Sequence, residues 1–113
     1  MNRNLTFPAH RGDIRWLRSS EEHRRRPVLI LGHEEALPSL HQIPVIPLST
    51  QIRGLRWEVE ITPDEGVPVH SVLKPEWIRS VERSALGPWI TTFPENRWSE
   101  VRGALLLILG LEP

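Results

Sequence analysis

The apolar residues of this chain recur first at a spacing of two and, only near the end, at a spacing of three to four. From Arg11 the run GDIRWLR sets Ile14 and Trp16 between polar neighbours, with Leu17 closing it, and predicts a first strand. The stretch SSEEHRRR over 19–26 is polar, charged and loop-like. PVLILG at 27–32 is apolar without interruption and ends on glycine, which predicts a central strand buried on both faces. Residues 33–42 read as loop, with one helical turn around Glu34 to Leu37. IPVIPL at 43–48 predicts a third strand; Pro44 and Pro47 place it near an edge or make its ends irregular, because proline has no N–H to give to a ladder. RWEVEI at 56–61 alternates, turning Trp57, Val59 and Ile61 inward and Arg56, Glu58 and Glu60 outward, as a half-exposed antiparallel strand does.

TPDEG has proline and glycine where a turn needs them. SVLK and WIRSVE give two short strands or one bent one, and LGPWITTF gives another. From Thr92 the period changes: Trp98, Val101, Leu105 and Ile108 recur at helical spacing, and Ala104 and Leu111 widen the stripe. Thr92 with Glu95 fits a capping box, Pro94 is tolerated in a first turn, and Gly110 stops the helix. The sum is a mainly β fold with one helix, a small curled SH3-like antiparallel β-barrel carrying a C-terminal amphipathic helix. Residues 1–113 are enough for one such domain and one core.

Composition narrows the chemistry. Eleven prolines argue against a helical bundle, and 39% hydrophobic with 25% charged residues is the balance of a globular chain. The lack of cysteine excludes a disulfide framework, a thiolate zinc site and a cysteine nucleophile. Five histidines, His10, His23, His33, His41 and His70, show no two-histidine spacing on a predicted helix, so no metal and no cofactor are expected. The longest apolar run, Ala104 to Leu109, is too short to span a bilayer, and MNRNLTFPAHRGD has no signal-peptide core, which predicts a cytoplasmic protein without a membrane partner. Net charge is zero but uneven: residues 1–57 hold nine arginines and five acids, and residues 58–113 hold nine acids and five bases. One part of the surface can favour polyanions, although mixing of the two halves into one solvated shell accounts equally well for the numbers.

Read in order, RGDI (11–14), RPVLIL (26–31), PLSTQIRGL (47–55), EVEI (58–61), SVLKPEWIRSVE (71–82) and the closing EVRGALLLILGL resemble the ordered signature of MazF/PemK toxins. The resemblance covers nearly the whole chain. It implies a compact barrel that forms a homodimer, binds single-stranded RNA at the dimer interface, cleaves it without metal and is restrained by a cognate antitoxin protein. The implied products are a cyclic phosphate and a 5′-hydroxyl. In that reaction the substrate's own 2′-hydroxyl is the nucleophile, so the protein must supply a proton acceptor, a proton source and positive charge for the crowded phosphorane.

On this resemblance Arg26 takes the place of the family's arginine ahead of the buried strand, where a guanidinium can hold two phosphate oxygens. Ser49 matches a position usually occupied by threonine, with Thr50 able to substitute if the register shifts by one; without the family, either hydroxyl would be read as a turn or capping group. Lys74 and Glu76 align with an Arg-x-Asp pair of some PemK-like members, Glu76 as base and Lys74 as phosphate clamp, against the equally good account of a surface ion pair. Arg24, Arg25, Arg53, Arg56 and Arg79 are candidate RNA-backbone contacts, solvated arginine being the commoner fate of the first two. Gly12 and Asp13 match the family's opening and are structural. Trp16, Trp57, Trp77 and Trp89 can stack bases, with packing in the core or dimer the better account of most.

The sequence departs from the family at the first loop, where Ser20-Glu21-Glu22 follows Trp16 almost at once and Arg18 stands where an acid is common. Two rivals follow. A CcdB-like gyrase poison would share the barrel but needs a tryptophan near the end of its helix, whereas the last one here is Trp98. A non-catalytic RNA- or protein-binding member of the same fold is the stronger alternative.

Overall fold

The computed structural model describes residues 8–18 and 25–112; Arg24 and most of the charged first loop lie outside the described residues. Among the described residues seven strands are followed by one helix: β1 (Asp13–Leu17), β2 (Arg26–Ile30), β3 (Gln42–Ser49), β4 (Val59–Ile61), β5 (Ser71–Leu73), β6 (Arg79–Glu82), β7 (Leu86–Thr92) and α1 (Trp98–Ile108). All pairings are antiparallel, in the order β4-β5-β3-β2-β1-β7, with β6 also on β3.

The apolar runs explain this curled sheet. Alternate residues of β2, β3 and the residue after β2 go to opposite faces, and both faces are covered. Leu29, Leu31, Ile46 and Leu48 join Ile14, Leu73 and Phe93 in one core, which α1 closes with Val101 and Ala104. Val28, Ile30, Ile43 and Val45 join Leu17, Leu37, Val81 and Leu86 in a second core behind the sheet. A strand serving two cores has no polar face to show, and each such side chain contributes roughly 1.5–3 kcal/mol by leaving water.

Three expectations need correction. The proline-bearing segment is not an edge strand: β3 is the longest strand and pairs with β2, β5 and β6. On the side to which its nitrogen and carbonyl point, each proline meets a partner strand that has just ended, so its missing N–H falls outside the paired register. The Pro44 carbonyl accepts the Leu31 N–H just past β2, and the Pro47 carbonyl accepts the Lys74 N–H just past β5. The alternating run at 56–61 is a strand only from Val59, so Glu58 is not on an outward face at all. The helix begins later than predicted, after a 3-10 turn at Glu95–Arg97, and no side-chain cap holds either N-terminus. Thr92 instead accepts the Trp89 indole N–H, and the work of fixing the helix start falls to Arg97, which reaches Glu100, Glu65 and the Glu60 carbonyl. The helical turn expected around Glu34 to Leu37 is present, closed by the Ala36 and Leu37 N–H groups on the His33 carbonyl, and a 3-10 turn at Leu37–Ser39 continues it.

A capping box does exist elsewhere in the fold, after β4, between Thr62 and Glu65 ahead of Gly66. Gly66 has φ +102°, and a Cβ there would stand 2.4 Å from the Thr91 hydroxyl. Gly66→Ala should therefore cost roughly 2–4 kcal/mol, combining a left-handed backbone with overpacking. Gly54→Ala, at φ +72° with open space around it, should cost only about 1 kcal/mol. Urea unfolding of the two variants side by side checks this; equal losses would show that Thr91 yields easily. Among the described residues no helix is long and apolar enough to cross a membrane.

Candidate active site

The register of β2 on β3 puts Val28 across from Pro47. Continued by two residues, it sets Arg26, the first residue of β2, across from Ser49, the last of β3. The two strand ends open a groove of about 610 Å³ lined by Arg25, Arg26, Pro27, Leu48, Ser49, Thr50, Gln51 and Trp77. Its floor is apolar where β2 and β3 leave the cores, and its rim carries two guanidiniums and two hydroxyls. Among the described residues the wall carries two guanidiniums and no carboxylate, which suits a phosphate.

Arg26, Ser49 and Thr50 are thus brought together. Arg26 and Thr50 are exposed and Ser49 is half-buried. The Ser49 hydroxyl oxygen accepts the Gln51 N–H at 3.1 Å, which turns the chain at the end of β3 and still leaves the hydroxyl proton to donate. Arg25 shares the wall with Arg26. Arg53, Arg56 and Arg79 are exposed but do not line the groove.

Lys74 needs correction. It is 2% exposed, and its ammonium is engaged by Glu58, so it is not offered to a phosphate in the groove. The Lys74 and Glu58 side chains are each only 3% exposed. The same Glu58 carboxylate accepts the N–H groups of Arg53, Gly54 and Leu55 at 2.9–3.2 Å and so cinches the segment that leaves the groove at Gln51 and returns at β4. Burial pushes the Glu58 carboxyl up, but the bonds from Lys74 and from the Leu55 and Arg53 amides outweigh it and hold it below the ordinary glutamate range. Glu76 is exposed, next to the groove residue Trp77, and accepts the Trp57 indole N–H at 3.2 Å. It is anchored close to the rim without forming part of the wall.

Sequence reasoning missed two participants. Glu58 was read as a solvated strand residue because alternation alone cannot say where a strand begins. Gln51 was quoted as part of a motif but given no role, and its place in the wall follows only from the turn made by Ser49.

Comparison with known proteins places the chain and its fold in a family. A family model described as the PemK-like, MazF-like toxin of type II toxin-antitoxin systems matches residues 10–109. The probable endoribonuclease MazF5 of Mycobacterium tuberculosis is 35% identical over 83 residues, 73% of this chain and 75% of the relative. The structure of the M. tuberculosis toxin MazF-mt6 superposes with a TM-score of 0.80 at 26% identity, covering 89% of this chain and 99% of that one. A MazE-MazF structure from Deinococcus radiodurans gives a TM-score of 0.77 at 25% identity, over 94% of this chain and all of its match. The strand order, the groove between β2 and β3 and the span of the match lead to one conclusion: the chain belongs to the PemK-like, MazF-like family of type II toxin-antitoxin toxins.

Proposed function

We propose that the chain is a cytoplasmic endoribonuclease toxin that cuts single-stranded RNA in the groove between β2 and β3, without metal, and that a cognate antitoxin restrains it. The observation that carries this reading is the shared cavity of Arg26 with Ser49 and Thr50. In the reaction the ribose 2′-oxygen bonds to phosphorus and the bond to the 5′-oxygen breaks. The 2′-hydroxyl proton passes to a base, and the departing 5′-oxygen takes one up. Arg26 neutralises the phosphorane through two parallel N–H donors, Ser49 or Thr50 hydrogen-bonds a phosphate oxygen, and Glu76 at the rim is the candidate base. Arg25, with Arg53, Arg56 and Arg79 further along the surface, would hold flanking phosphates without reading sequence; Arg24, outside the described residues, keeps that role from the sequence alone. The apolar groove beside α1, lined by Val101, Leu105, Leu106 and Leu109, supports homodimerisation and antitoxin docking.

The test is incubation of the purified protein with a defined long RNA and mapping of the ends. The expected products are cyclic phosphates and 5′-hydroxyls, unchanged by EDTA, because the nucleophile comes from the substrate and the positive charge from arginine, with no metal ion required. Intact RNA would leave the fold as a binding module, and activity lost to chelator would overturn the mechanism. Ser49→Ala is expected to slow cleavage by about 10- to 100-fold, the worth of one charge-assisted hydrogen bond, and Thr50→Ala by less, since Ser49 directly faces Arg26. Near-normal rates in both would remove the hydroxyl from the mechanism.

A further inference from the structure

We propose that Trp77 is the platform on which the nucleobase beside the scissile phosphate stacks; the assignment rests on the endoribonuclease reading of the same groove. Of the tryptophans named above as possible stackers, Trp57 packs against the first core, and Trp89 is tied to Thr92 away from the groove. Trp77 alone of the four lines the groove, and it is 41% exposed there. Leaving an indole in water is unfavourable unless something else covers it.

The ring is also well mounted. Trp77 closes a 3-10 turn, Pro75–Trp77, in which its N–H donates to the Lys74 carbonyl at 2.9 Å. Lys74 in turn donates its N–H to Pro47 of β3 and holds Glu58 in the interior, while Glu76 is pinned by the Trp57 indole. The turn is thus fastened to β3 and to the 53–58 segment through Lys74 and Glu76, which precede the ring. A platform fixed before the ligand arrives loses little entropy on binding.

Chemistry selects the ligand. An inorganic anion or an acidic peptide would use the guanidiniums of Arg25 and Arg26 and leave the indole idle. A nucleotide uses both, with its phosphate on the arginines and its base on the ring, and a cavity of about 610 Å³ has room for it.

The experiment uses a mixed-sequence, single-stranded 2′-O-methyl RNA oligonucleotide, which cannot be cut, beside a cleavable RNA of the same sequence. Trp77→Ala should weaken binding by about 5- to 150-fold, the worth of one base–aromatic stack. The loss should appear in KM more than in kcat. Trp77→Phe should retain most of the affinity, whereas Trp77→Leu, apolar but without a π face, should behave like Trp77→Ala. Thermal midpoints of all three should stay near that of the parent protein. Unchanged binding and KM in Trp77→Ala, or full affinity in Trp77→Leu, overturns the proposal. If the parent protein binds the 2′-O-methyl probe in a Trp77-dependent way yet never cuts its cleavable twin, the platform stands and the nuclease reading falls.

Discussion

Replacing Arg26 by alanine is expected to lower the cleavage rate by about 10²- to 10³-fold while leaving the protein folded. That magnitude is typical for removal of one fixed donor aimed at developing negative charge. Folding should survive because Arg26 is exposed at the first position of β2, and the strand pairs through its backbone. Arg26→Lys should recover only part of the loss, since an ammonium supplies a point charge and not a planar pair of donors. Arg25→Ala should act differently, raising KM in a salt-dependent way, because a residue that only positions a phosphate contributes through counterion release. Single-turnover rates on a defined RNA, with circular dichroism on each variant, separate these outcomes. Undiminished cleavage by Arg26→Ala would take that residue out of the site.

Glu58→Ala is expected to destabilise the protein by roughly 3–5 kcal/mol, as much as truncating a core side chain. It leaves the Lys74 ammonium buried without its partner and strips three backbone N–H groups of their common acceptor. Against a typical stability of about 5–15 kcal/mol, that is a large fraction. Lys74→Met should cost less, because the carboxylate keeps its amide donors. Acid supplies an independent check. The Glu58 carboxyl is held below its ordinary value of about 4.5, so its stabilisation is complete above that pH and is lost as the pH falls towards the folded-state value. Urea titrations at pH 7 and near pH 4 should show the decline in the parent protein and a flatter profile in Glu58→Gln. An Glu58→Ala variant as stable as the parent would mean the pair contributes nothing.

Much of this fold is legible in the residues, and the failures share a cause. The uninterrupted run at 27–32 identifies a two-faced strand because no soluble protein leaves such a run uncovered. The run at 43–48 carries the same message, but its prolines pull the reading towards an edge. Whether a missing N–H is costly depends on where neighbouring strands stop, and that is a tertiary fact. Glu58 fails similarly: an alternating pattern has a phase but no starting point, so an acid just ahead of β4 looks like one on its outer face. At the candidate site, Arg26, Ser49 and Thr50 were found through the family pattern, and the pairing of β2 with β3 explains why they meet. Lys74 kept the expected sign of charge but not the expected place, because sign says nothing about which way a side chain turns at the end of β5.

β3 passes from the interior to the rim within one peptide unit, Leu48 filling the first core from the groove's floor and Ser49 standing half-buried in the groove wall. Selection therefore meets an abrupt frontier there. Drift on one side of it is filtered by whether the chain holds together, and drift on the other by what the groove accepts. On the proposed reading, targets can diversify at Gln51, past the two catalytic hydroxyls, while the scaffold beneath stays the same.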